Sequence, residues 1–259
     1  MSRLSRVVFL LAGVALVAGA GSLAASAQPG TPPIDHYKVY TVEPNYPYFQ
    51  SVMLKDQFGE HPVLVTVLEH FANPVDKNGE GMIDPFLHYA WWRIDSPEPP
   101  RAALVGNQFG QDQEFRIFDG VYLLNPAIKH AQSPTEPLPP ANHYKCYQAL
   151  GLPVDRQVVL TDQFGTRTAV AMEPQLLCNP AEKITADGVV YPIVNPFAHL
   201  ACYRIEPPIF WGLGALIHDQ FFFGEIRFKE DWLLCVPSTK NEVVPTEPQT
   251  WGRVKALYR

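Results

Sequence analysis

The chain is poor in what most catalytic and cofactor sites are built from. Beyond residue 27 the serines are Ser51, Ser96, Ser133 and Ser238, and none lies in a Gly-x-Ser-x-Gly elbow. There is no His-Glu-x-x-His zinc helix, no phosphate loop and no haem-attachment Cys-x-x-Cys-His, so no cofactor is expected. Helical periodicity is nearly absent, and 26 prolines discourage long helices. Basic residues are outnumbered, 20 against 26 acidic. Nucleic acid needs a basic patch, so it is not an expected partner, and anionic membrane surfaces are disfavoured for the same reason. After residue 27 no apolar run is long enough to cross a bilayer as a helix.

What precedes residue 28 has the form of an export signal: Arg3 and Arg6, an apolar run from Val7 to Ala20, then the small-x-small site Ala25-Ser26-Ala27. Cleavage after 1–27 gives a mature start at Gln28 and a secreted or periplasmic protein. It removes two bases and no acid, moving the net charge from −6 to −8.

The mature chain says nearly the same thing four times. Asp56-Gln57-Phe58-Gly59, Asn107-Gln108-Phe109-Gly110, Asp162-Gln163-Phe164-Gly165 and Asp219-Gln220-Phe221-Phe222-Phe223-Gly224 each join two apolar runs. The Asp accepts turn amides and the Gly permits positive φ, so each is read as a β-hairpin tip. About twenty residues earlier stands a His: His36, His88, His143 and His199. About twenty residues later comes Pro74/Lys77, Pro126/Lys129, Pro180/Lys183 or Pro237/Lys240. Each unit is read as about three strands, too small to bury a core alone. The expectation is an all-β chain of two tandem β-sandwich or barrel-like domains, each of two homologous units. They are 34–130 (units 34–80 and 86–130) and 142–240 (units 142–190 and 197–240). A Pro-rich linker, 131–141, joins them, and a tail, 241–259, follows.

The four cysteines lie in the second half at two repeat positions, Cys146/Cys202 and Cys178/Cys235. The first half has apolar Val39, Trp91, Ala72 and Leu124 there. Disulfides are expected, stabilising by ~3–4 kcal/mol each in the chain-entropy model. Pairing within units is preferred. Pairing across units, 146 with 235 and 178 with 202, stays open.

Four histidines at one register suggest a structural hydrogen bond, to the hairpin acid or a backbone carbonyl. An active site is normally built once. The recurring Asp56, Asn107, Asp162 and Asp219 are read the same way. Asp76, Asn78, Glu80 and Asp84 resemble the start of a calcium loop without its closing Glu, and a surface turn is the favoured reading, so no metal is expected. His61, Glu69 and His70 cluster, but neighbours on a strand face opposite sides, which weakens Glu69 and His70 as a joint site. Trp92, Trp211 and Phe222, in aromatic runs that break the repeat, are the candidate ligand contacts.

The pattern His143-x-x-Cys146-Tyr147, Asp162-Gln163-Phe164-Gly165, Leu177-Cys178-x-Pro180-x-x-Lys183 resembles a family of exported bacterial proteins built on a tandem module of unknown function. The resemblance covers nearly all of the mature chain, though its first half lacks the cysteines. It implies an exported β protein and brings no activity with it. The expected function is a non-catalytic binding or surface-structural module for a protein or glycan ligand. The alternative is a secreted hydrolase of polysaccharide or peptide, whose mark would be one cleft lined by His61, His70 and Asp84.

Overall fold

Each repeat folds into a short strand, then a hairpin whose second arm is far longer than its first. In a computed structural model describing residues 33–241, the first unit has β1 (His36–Glu43), β2 (Pro47–Asp56) and β3 (Gly59–Lys77). The second has β4 (His88–Ser96), β5 (Arg101–Asn107) and β6 (Gly110–Lys129). The third has β7 (His143–Leu150), β8 (Arg156–Asp162) and β9 (Gly165–Thr185), with a two-residue β10 (Val190–Tyr191) after it. The fourth has β11 (His199–Glu206), β12 (Gly214–Asp219) and β13 (Phe223–Lys240). The stretch 1–27, expected to be an export signal, and nearly all of the tail 241–259 lie outside the described residues.

The long arms run 18 to 21 residues and serve two sheets in turn. Register shifts fall at their middles, between Val65 and Val67 and between Leu68 and His70 in β3, and near Gly120 in β6. Such bulges bend a strand and increase its twist. The first half of each arm therefore pairs with its hairpin partner, and the second half becomes a barrel stave.

The staves close. β1 pairs with β3, β3 with β4, β4 with β6, β6 with β7, β7 with β9, β9 with β11, β11 with β13, and β13 returns to β1, all antiparallel. The chain is thus all-β and four-fold repeated, as its sequence indicates. Its halves, however, do not close separately. β6 pairs with β7 straight across 131–141, and β13 with β1 seals the other seam. The reason is geometric: two staves from each unit need all four units to complete a ring without edges.

The prolines sit inside these staves, where strand patterns argue against them. Pro74, Pro126, Pro180 and Pro237 pair with Tyr37, Tyr89, Tyr144 and Leu200 on one side. On the other side the ladder has already ended, at Ala72, Leu124, Cys178 and Cys235. Each proline is thus locally at an edge and leaves no ladder bond unmade.

Side chains alternate across the staves. Val39, Ala72, Trp91, Leu124 and the four cysteines point into the ring with Tyr37, Tyr89, Tyr144 and Leu200. Cys146 faces Cys178 and Cys202 faces Cys235 in register, and both pairs are disulfides, which selects pairing within units. Val39 faces Ala72 and Trp91 faces Leu124 at the same level, filling with packed volume what the second half staples. Outside the ring, two further cores form under the hairpins. Hairpins 2 and 3 cover Tyr147, Ala149, Tyr203 and Ile205, while hairpins 1 and 4 cover Tyr40, Val42, Trp92 and Ile94.

Chains 34–130 and 142–240, produced separately, are each expected to lack a cooperative thermal transition by circular dichroism, and mixing them should restore it. A half that melts cooperatively alone would contradict the shared ring.

Candidate functional site

The four hairpin tips are not free loops. Each reaches the unit two places away in the ring and is received by that unit's aromatic and amide side chains. Asp162, at the third tip, accepts from the Tyr40 hydroxyl, from Lys38 Nζ at 3.2 Å and from Asn73 Nδ2 at 3.4 Å. Asp56, at the first, accepts from the Tyr147 hydroxyl and Asn179 Nδ2, each at 2.9 Å. Asp219 accepts from the Trp92 indole at 2.6 Å and Asn125 Nδ2 at 3.0 Å. Asn107 donates to the Tyr203 hydroxyl at 2.8 Å and Ser238 Oγ at 3.1 Å. Every tip residue also accepts its own tip's Phe amide, between 2.8 and 3.1 Å. The diagonal exchange is reinforced by short ladders, β2 on β9, β8 on β3, β5 on β13 and β12 on β6.

The repeated lysines belong to the same network. Lys183 Nζ donates to Asn125 Oδ1 at 2.7 Å and lies 4.6 Å over the Phe221 ring. Lys240 Nζ donates to Asn179 Oδ1 at 3.0 Å and lies 3.9 Å over Phe58. Lys129 lies 4.0 Å over Phe164. Burial pushes all three ammonium groups down to about 7 against the pull of the nearby tip acids.

The histidines do not bond the hairpin acids, as one sequence reading allowed; those acids are already taken. Each His instead sits beside its own unit's lysine. Burial first, and that lysine second, lower His36, His88 and His199 to about 3 and His143 well below its ordinary value. His36 Nε2 meets Gln108 Nε2 of the next tip at 2.8 Å.

The other sequence candidates scatter. Trp92 is 1% exposed and anchors Asp219, so it is no surface contact; hairpins 1 and 4 cover the face that a lone strand would have shown. Trp211 is partly buried against Tyr40 and Phe164 and donates to Asp231 at 3.3 Å. Phe222 packs on Tyr46, ring centroids 4.4 Å apart. Glu69 and His70 do share a face, contrary to simple alternation, because of the bulge at Leu68/His70. Both reach the Tyr122 hydroxyl, at 3.0 and 3.2 Å. Asp76 accepts from Gly81 N, Asn78 from Val159 N, Glu80 from Lys77 Nζ, and Asp84 from Phe86 N and Leu87 N. These four therefore serve turns and pairs. Among the described residues no group of three or more His, Cys, Asp or Glu is placed to hold a metal ion.

Of the large exposed apolar side chains, Met82, Ile83, Phe86, Val189, Val190, Val194 and Phe197 lie at one barrel end, while Phe49, Leu150, Leu152, Phe210 and others lie elsewhere. Two loops, 78–87 and 186–197, follow β3 and β9, and they are counterparts. Ile83-Asp84-Pro85-Phe86 matches Val194-Asn195-Pro196-Phe197. Asp35 holds the first loop by accepting from Ile83 N at 2.6 Å and Asp84 N at 2.8 Å. Asn142 holds the second through Val194 N and Asn195 N, at 2.7 and 2.9 Å. Between them lies a pocket of ≈180 Å³ walled by Asp35, Ile83, Asp84, Asn142, Val194 and Asn195, with Tyr37, Tyr89 and Tyr144 also lining it. Phe86 and Phe197, on the same two loops, are each 75% exposed, and Ile83 and Val194 of the pocket wall are exposed as well. The repeated hydrophobic-[DN]-Pro-Phe loop is the sequence signal that could have located this rim.

The match to known families falls on the same units. The model of DUF7450, described as a repeat of unknown function, matches residues 88–237, from the first residue of β4 to the proline of β13. The chain belongs to this repeat family. The match spans the second, third and fourth units, and the first closes the ring that the other three leave open. No curated protein and no solved structure matches the chain.

The buried histidines make stability depend on pH. Their folded values lie below the free value of 6.5, so their contribution is complete above pH 6.5 and is lost as pH falls from there towards 3. Denaturant midpoints are expected to drop steeply below pH 6.5. His88→Gln should flatten that slope by about one proton, ~1.4 kcal/mol per pH unit. An unchanged slope would mean the ring titrates freely in the fold.

Proposed function

We propose that the protein is an exported, non-catalytic binding or surface-structural module whose contact surface is the loop-rimmed barrel end. One observation carries this reading. The tip residues that recur in every unit are engaged by side chains of the opposite unit inside the scaffold, while large exposed apolar side chains at the barrel end stand on two matched loops. Contiguous exposed apolar surface marks a place of contact, and loops on a rigid frame are where contact residues usually sit. An apolar rim beside carboxylates suits a protein partner better than a glycan. Export is supported by the basic-then-apolar start of the sequence and by two buried disulfides, which persist in oxidising compartments.

The hydrolase alternative has less to stand on. His61, His70 and Asp84 serve separate elements. The nearest acid–base arrangement is His61 Nε2 at 3.6 Å from Glu98, but Glu98 is already held by Lys145 at 2.8 Å and Arg101 at 3.3 Å.

Immobilised mature protein is expected to retain a partner from a cell-envelope extract, and the double variant Phe86→Ser/Phe197→Ser to lose it with its melting temperature unchanged. Equal retention by both proteins would refute the contact surface. Turnover of a polysaccharide or peptide, abolished by Glu98→Gln, would establish the hydrolase instead.

A further inference from the structure

A segment whose chemistry matches the barrel end is found within the sequence itself. β6 leaves the sheet with His130 N donating to Leu216 O at 2.7 Å, and the segment after it runs through Pro134-Thr135-Glu136-Pro137 to Ala141 and Asn142, in the pocket wall. β13 leaves the same end in the same way, Asn241 N donating to Leu104 O at 2.9 Å. The sequence beyond repeats the signal in register. Pro245-Thr246-Glu247-Pro248 begins five residues after Lys240, as Pro134 stands five after Lys129. Residues 242–259 could extend up to ~60 Å, at about 3.3 Å per residue, which is ample to cross the barrel end.

The charges and apolar residues complement one another. Loops 78–87 and 186–197 carry Glu80, Asp84 and Asp187 and no basic residue. Residues 251–259 carry Arg253, Lys255 and Arg259 and no acid, with apolar Trp251, Val254, Leu257 and Tyr258 between them. The pocket is also lopsided: carboxylates at 35 and 84 face amides at 142 and 195 across the pseudo-twofold, so a basic segment has a preferred side.

We propose that residues 251–259 dock in cis on the pocket and rim between loops 78–87 and 186–197, so that the contact surface is capped until a partner displaces them. This rests on the barrel end being the contact surface. A tethered segment meets its site at an effective concentration in the millimolar range, so modest affinity suffices.

Methyl NMR of the mature chain and of the same chain ending at Asn241 tests it. The Ile83 and Val194 methyl resonances are expected to differ between the two, and a synthetic peptide of residues 251–259 added to the shorter chain should restore the longer chain's positions. That peptide should bind the full chain about ten-fold more weakly, since the tethered copy competes. Asp35→Asn/Asp84→Asn should weaken the peptide about ten-fold; it recreates the amide pair already present at 142 and 195, so folding is preserved. Superimposable methyl spectra of the two chains would overturn the proposal. So would shifts that appear only with dimerisation in light scattering, which would put the segment on a second copy. If docking fails while Phe86→Ser/Phe197→Ser still abolishes partner retention, the contact surface stands without its cap.

Discussion

The fold depends on a carboxylate delivered across the ring. A tip acid leaves water only because the opposite unit presents a phenol or indole donor and a side-chain amide in the right places, with a lysine close by. Asp162 is the fullest case: Lys38 and Asp162 have no exposed side-chain surface, and Tyr40 and Asn73 complete the acid's bonds. Burying such a pair is costly, and it is tolerable only when every oxygen finds a donor. That condition ties unit 1 to unit 3 and unit 2 to unit 4. Ladder pairing ties each unit to its neighbours. Together they leave no subset of units self-sufficient.

The one exception follows the same electrostatics. The tips of Asp56, Asp162 and Asp219 each sit under a repeat lysine, Lys240 over Phe58, Lys129 over Phe164 and Lys183 over Phe221 respectively. The lysine that would serve the second tip, Lys77, is engaged by Glu80 instead, and that tip carries Asn107. Its receiving unit has Val236 where the others have Asn73, Asn125 and Asn179, and Ser238, two residues further on, takes the tip's amide instead. Where the cation is spent elsewhere, the anion is replaced by an amide, so the burial stays neutral.

Much of this was legible in the sequence. Tips, units and unit boundaries follow from the repeat, and the apolar residues opposite each cysteine position foretold buried disulfides. Ring closure was not legible, because antiparallel staves choose partners by geometry that spans the chain: β6 takes β7 over a proline-rich stretch that reads as a domain boundary. Trp92 was misread because alternation predicts two faces but not that a hairpin from another unit covers the second. Glu69 and His70 were misread because a bulge has no strong sequence mark. The rim at Phe86 and Phe197 was overlooked since its motif occurs in only two of the four units.

The acid-for-lysine lock between opposite units is tested most directly by the pair Asp162 and Lys38. Asp162→Ala should cost about 3–5 kcal/mol in denaturant unfolding, the penalty for leaving a buried charge unpaired. Adding Lys38→Met to that variant should recover a large part of the loss, because it removes the stranded cation. If Asp162→Ala unfolds within about 0.5 kcal/mol of the parent chain, as an ordinary surface substitution does, the tips are not what holds the ring together.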